Sequence, residues 1–124
     1  MHSLLSTAPT YPERIVCLTE ETCETLYRIG ASDRIVGISG FTVRPPEARR
    51  EKPIVSTFLD AKYDEILDLE PDLVLGFSDL QATIGSELAQ RGLPVFLFNQ
   101  RSIAEILQSI RVLGSLIGES EAGE

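Results

Sequence analysis

Side chains able to do chemistry are few in this sequence, and their spacing is poor for catalysis. His2, the only histidine, stands in the terminal segment ahead of the first apolar run, so it is not placed as the base of a Ser-His or Cys-His pair. Cys17 and Cys23 form a C-x5-C spacing, which suits neither a metal site nor a disulfide framework. Both read as small buried apolar residues. The loop after the first strand reads Thr19-Glu20-Glu21-Thr22, with no G-x-G-x-x-G, and no G-x-x-x-x-G-K-[ST] occurs anywhere. Two acids at that turn would also repel a phosphate. What remains is carboxylate chemistry: Thr19-Glu20-Glu21 with Asp79 could hold a divalent cation, as in a small α/β enzyme. A phosphoacceptor site of that kind would want a lysine after the last strand, and none occurs beyond Lys62.

Elements that could position such residues alternate along the chain. Short β-branched or aromatic runs at 14–18, 34–38, 72–77 and 94–98 read as strands buried on both faces. Helical periodicity fills the intervals. One helix spans 20–29, with Thr19 as N-cap, acids in its first turn and Gly30 after its last. A second covers 63–69 and is closed by Pro71, which pushes Glu70 out of the helical region. A third, over 79–91, starts at the capping-box pattern Ser78-x-x-Gln81 and stops at Gly92. The last starts at Ser102-x-x-Glu105 and aligns Ile103, Ile106, Leu107, Ile110, Leu113 and Ile117 on one stripe. This alternation predicts an α/β fold, a three-layer α/β/α sandwich around a mostly parallel sheet. Ligands of such sheets sit at the carboxyl ends of the strands. The loops to inspect are therefore 19–21, 39–53, 77–79 and 99–101. The stretch 40–53, with Pro45, Pro46 and Pro53, has no period and reads as a long ordered loop with one helical turn after Pro46.

The chain has 124 residues, 43% hydrophobic and 24% charged, which bounds it to one core and leaves any function needing two lobes incomplete here. A net charge of −8 opposes nucleic-acid binding and argues against an anionic membrane surface as partner. No apolar run approaches the length of a membrane span, and direct membrane insertion is not expected. The segment before residue 13 lacks the basic and apolar regions of an export signal, which leaves a cytoplasmic protein or the mature form of an exported one. Residues 1–12 read as extended or disordered, 13–118 as the folded unit, and 119–124 as a fraying tail.

Three segments in order carry a resemblance: RIVCLTEETCETLYRIGASDRIVGISGFTVRPPEA, VSTFLDAKYDEILDLEPDLVLGF and RGLPVFLFNQRSIAEILQSIRVLGSLIG. Together they resemble the N-terminal lobe of the periplasmic substrate-binding proteins that deliver cobalamin or ferric siderophores to ABC importers. The specific part is the order: a G-x-S-x-aromatic strand end followed by PPEA, an I-x-x-L-x-PDLV joint, and a PV strand leading into a capped helix. The resemblance implies a Rossmann-like lobe, joined by one long helix to a second lobe that this chain lacks, with the ligand between the two. It implies a non-catalytic binding protein without a cofactor, whose partners are a cobalamin or ferric chelate ligand and an ABC permease. It also implies a periplasmic location, against which the absence of a signal in this chain leaves the cytoplasm open.

The resemblance places cleft-lining aromatics at Phe41, Phe58 and Phe77, with Thr19, Glu20, Arg44 and Arg101 on the same strand-end loops. Arg44, with Arg49, Arg50 and Lys52 nearby, could meet an anionic siderophore or the cobalamin phosphate. The family's permease-docking acid matches Asp64, with Glu65 as its neighbour and substitute. Asp60, Asp64, Glu65, Asp68, Glu70, Asp72 and Asp79 surround Lys62 in a stretch of net charge −6, suited to steering a cationic partner. Two departures bear on the ligand: Arg44 stands where many relatives carry an aromatic, and phenylalanines replace their Trp or Tyr. Besides the binding module and the metal-assisted enzyme, a third expectation is self-association through the surface that a second lobe or linking helix would cover.

Overall fold

The computed structural model describes residues 11–57, 59–99 and 102–119. Five strands form one sheet: β1 (Ile15–Cys17), β2 (Ile35–Ser39), β3 (Ile54–Ser56), β4 (Leu73–Phe77) and β5 (Val95–Phe98). Their order is β3-β2-β1-β4-β5, and every neighbouring pair is parallel. The helices are α1 (Glu20–Arg28), α2 (Ala48–Glu51), α3 (Tyr63–Asp68), α4 (Ala82–Gln90) and α5 (Ile103–Leu116). The expected α/β sandwich is thus present. Strand β3 has no counterpart among the expected strands, because three residues between Pro53 and Thr57 are too few to show a pattern. The single helical turn expected after Pro46 is α2. The first residues of the helix expected over 79–91 form a 3-10 turn, Asp79–Gln81, that runs into α4.

Strand residues alternate between two cores because successive side chains point to opposite faces. Ile15, Cys17, Ile35 and Leu75 pack with Cys23 and Leu26 of α1, Ala48 of α2, and Leu113 and Ile117 at the end of α5. On the other face Val16, Leu18, Val55 and Val74 pack with Ile66 of α3 and Ile84 and Leu88 of α4. The change of face coincides with the change of direction, since the chain winds outward from β1 to β3 and then crosses to β4. Right-handed crossovers demand that coupling.

Three helices end alike. Gly30, Gly92 and Gly118 have positive φ, and the residue after each donates five residues back: Ala31 to Leu26 O, Leu93 to Leu88 O, and Glu119 to Gly114 O. Glu70 leaves the helical region as expected, but into the left-handed region at φ 51° rather than an extended one. The amino edge of the sheet is pinned by charged side chains. Asp72 accepts from the backbone N–H groups of Glu13 and Arg14, both at 2.9 Å, and the Arg14 guanidinium donates to Leu69 O at 2.6 and 2.9 Å. Arg34 donates to Ile117 O and pairs with Glu119 at 3.0 Å. Apart from Tyr11, Pro12 and Glu119, the expected extended segment 1–12 and the tail 119–124 lie outside the described residues.

Both cysteines are fully buried in the first core. Burial pushes the Cys23 thiol up to about 11, and burial together with the neighbouring Cys23 drives the Cys17 thiol higher still. At pH 8 the thiolate fraction of either is therefore on the order of a thousandth or less. Ellman's reagent should titrate neither thiol in the native protein at pH 8 and both in 6 M guanidinium; rapid native labelling would show that the α1 face opens.

Candidate functional site

Chain direction brings the loops after all five strands to one edge, and β1 and β4 mark the point where the winding reverses. At that point the crevice between the two strands is closed by one side chain. Gln81, fully buried, donates from Nε2 to Leu18 O at 3.1 Å and accepts at Oε1 from the Phe77 N–H at 2.8 Å. The capping-box pattern is therefore only half realised: Ser78 Oγ accepts from the Leu80 N–H at 3.1 Å, while Gln81 reaches across to β1 instead of back to Ser78. Gly76 makes room for this, because a Cβ there would lie 2.9 Å from Gln81 Oε1 and 2.7 Å from Leu97 Cδ2.

Ser78 holds the turn in a backbone conformation, φ 67° and ψ 164°, that ordinarily belongs to glycine. Its N–H donates to Phe98 O at 2.6 Å. The turn closes over Gln81 and leaves Leu80 outward.

The edge beyond Gln81 is apolar. Phe41 is 65% exposed, Val43 58%, Leu59 64% and Leu80 64%, on the loops after β2, β3 and β4. Ile103, Ile106 and Leu107 are exposed on the first turns of α5. The stripe expected along α5 is thus split: its C-terminal half packs on the sheet, and its N-terminal half does not. There α1 and α5 stand apart around an open depression of about 470 Å³, lined by Thr25, Arg28, Phe77, Ile106 and Ile110 among others.

The predicted site residues fall in different places. Phe41 lies on the exposed edge. Phe77 is half-buried, packed against the first core and facing the depression between α1 and α5. Thr19 takes the expected N-cap position, but its hydroxyl is buried against that of Thr22 at 3.1 Å and caps no helical N–H. Glu20 and Arg44 are brought together: one Glu20 oxygen lies 3.6 Å from the Arg44 guanidinium, and the other accepts from the Val43 N–H at 2.7 Å. Arg44 also lies 3.6 Å from Glu24. Arg49 donates to Gly40 O, and Lys52 donates to Ser32 O at 2.8 Å, so both are engaged by backbone carbonyls. Phe58 and Arg101 lie outside the described residues.

Asp64 and Glu65 sit on α3, on the opposite face from α1 and α5. The Asp64 carboxylate is 97% exposed and 3.7 Å from Arg91, whose guanidinium stacks over the Tyr63 ring at 4.9 Å. Glu65 lies 3.8 Å from Lys62. The acidic stretch 60–79 is not one face, because Asp72 is spent at the amino edge. Nor do the carboxylates gather for the metal-assisted enzyme: among the described residues no three acids, cysteines or histidines are grouped to hold an ion. Among the same residues no helix is long and apolar enough to cross a membrane.

Sequence reasoning missed Gln81, Val43, Leu59 and Leu80. The last three are isolated apolar residues in loops, visible only as apolar letters among turn formers. Gln81 was read as a capping residue, and nothing in its own segment points to β1.

Residues 15–124 match the family model described as periplasmic binding protein, and the chain belongs to that family. It is 29% identical over 119 residues to a cobalamin-binding protein of Halobacterium salinarum, covering 94% of this chain and 32% of that protein. It is 26% identical over 117 residues to the ABC transporter substrate-binding lipoprotein YvrC of Bacillus subtilis, covering 91% of this chain and 37% of that protein. The crystal structure of the periplasmic vitamin B12 binding protein BtuF of Vibrio cholerae superposes with a TM-score of 0.79 at 26% identity, covering 93% of this chain and 45% of that one. The chain thus spans 32–45% of these relatives.

Replacing Gln81 with Leu would strand the buried Leu18 carbonyl and Phe77 amide without partners. The expected cost is about 2–4 kcal/mol of unfolding free energy, read from urea denaturation; a change below about 0.5 kcal/mol would show that other groups hold the β1–β4 junction.

Proposed function

We propose that this chain supplies one wall of the ligand cleft of an ABC importer's solute receptor, acting outside the cytoplasmic membrane and binding cobalamin or a ferric chelate without catalysis. The observation that carries this reading is the row of exposed apolar side chains along the carboxyl edge, Phe41, Val43, Leu59 and Leu80. An edge of this kind is costly to leave in water unless something covers it. A broad, flat ligand face suits it, because a macrocycle would touch several loop tips at once without entering the crevice that Gln81 closes. The relatives named for cobalamin favour that ligand over a siderophore.

One wall supplies only part of the contacts, so the 124-residue chain alone should bind weakly. Titration of the labelled chain with cyanocobalamin, followed by amide chemical shifts, is expected to perturb Phe41, Val43, Leu59 and Leu80 and to spare α3. Phe41→Ala should weaken binding about 5- to 30-fold, the worth of one partly covered aromatic ring. Ferric siderophores and ATP serve as parallel arms. Shifts confined to another surface, or a response to ATP alone, would sink the cleft reading, and a response to a ferric siderophore alone would reassign the ligand.

The same proposal gives α3 the docking role. Exposed ion pairs such as Asp64–Arg91 and Glu65–Lys62 contribute little to stability, so both acids stay available to a cationic permease surface. Combined Asp64→Lys and Glu65→Lys should lower binding to the detergent-solubilised cognate permease at least about tenfold while the cobalamin shifts persist. Undiminished permease binding would remove α3 from the docking face.

A further inference from the structure

The loop after β2 presents Phe41 and Val43 to solvent, yet its anchor comes from another element. Thr42 between them is buried, and its N–H donates to Ser39 O at 3.1 Å. Beyond that point the backbone N–H of Val43 donates to Glu20 Oε2 at 2.7 Å, and that of Arg44 donates to the same oxygen at 3.3 Å. The second carboxylate oxygen, Oε1, faces the Arg44 guanidinium at 3.6 Å. Arg49 closes the near end of the loop by donating to Gly40 O. Glu20 is the first residue of α1, where an acid is also favoured by the helix N-terminus. That preference explains a negative charge at the position. It does not explain a carboxylate turned onto two amides of a loop more than twenty residues away.

We infer that Glu20 is a positioning residue, a carboxylate latch that fixes the Phe41–Val43 loop against the β1–α1 turn so that its apolar side chains meet the ligand already ordered. Charge-assisted bonds to backbone N–H groups are stronger than neutral ones and hold a loop whose tips, Phe41 and Val43, stand exposed. Without the latch, the loop would have to be ordered at the moment of binding, and that cost would appear in the affinity. Both oxygens of Glu20 are engaged, which separates its role from that of a ligand contact. The inference uses the proposed function only to say what the ordered loop is for; the latch itself stands on the geometry.

Two substitutions separate the latch from the helix-terminus effect. Glu20→Asp keeps the charge at the start of α1 but shortens the side chain, whereas Glu20→Gln keeps the reach and an acceptor oxygen but loses the charge. The experiment is amide hydrogen exchange by NMR at Val43 and Arg44, paired with the cyanocobalamin titration of the whole chain. Glu20→Asp should speed exchange at both amides about tenfold or more and weaken binding about fivefold, with the thermal midpoint within about 2 °C of wild type. Glu20→Gln should recover only part of both, because its neutral amide keeps the reach and the acceptor but not the charge assistance. Unchanged exchange in Glu20→Asp overturns the latch. Faster exchange with unaltered affinity overturns its positioning role. If the wild-type chain binds no cobalamin, the ligand reading fails, and the exchange arm still decides the latch.

Discussion

The side-chain amide of Gln81 joins the two strands at which the chain reverses its winding, and the carboxyl edge is organised around that junction. Strands β1 and β4 are paired over three residues only and are separated in sequence by two strands and three helices, so no short connection keeps them in register. Past the last ladder bond, from Leu18 N–H to Leu75 O at 2.8 Å, Gln81 extends the pairing by bonding Leu18 O and the Phe77 N–H. A single orientation of the amide satisfies both partners. Because Leu18 is fully buried and Phe77 half-buried, losing either bond would leave a backbone group unpaired and largely shielded from water.

Closing the junction decides where a ligand can go. In open α/β sheets the diverging loops at the reversal point ordinarily form a crevice that admits phosphates and nucleotides. Here the amide occupies it, Gly76 is kept bare beside it, and the strained Ser78 turn folds over it. Exposed apolar side chains gather instead on the surrounding loop tips, while the opposite edge is tied by Asp72, Arg14 and Arg34 to backbone groups. The two edges differ in chemistry: one is tied by charge-assisted bonds, and the other leaves apolar side chains exposed.

That asymmetry is coherent with membership of the periplasmic binding protein family and with a length under half that of the relatives compared. On the proposed reading the lobe meets its ligand from one side, which an apolar edge suits better than a deep pocket. The charged residues near the edge act mainly on the chain itself. Glu20 and Arg49 are spent on the β2 loop, and Arg44 is drawn back toward Glu20 and Glu24. On the proposed reading, electrostatics hold the shape of the loops, and the apolar tips provide the contact.

The fold class was legible because it rests on local signals. Apolar runs of strand length, Gly30 and Gly92 after helical periods, and Ser102 three residues before Glu105 each encode their element within a few neighbours, and Ser102 does cap the Glu105 N–H at 3.1 Å. The ordered motifs likewise sufficed for the family. Strand β3 escaped because three residues carry no period, and its place at the sheet edge is set by pairing with β2. Other features depend on distant partners. Glu20 reads as a helix-start acid until the β2 loop is folded beside it, and Gln81 reads as a cap until β1 lies next to β4. The sequence by itself determined which segments become strands and helices, since those preferences are local. Only the tertiary structure decided which polar groups are consumed internally and which apolar ones are left at the edge, because burial and hydrogen bonding depend on neighbours remote in the chain.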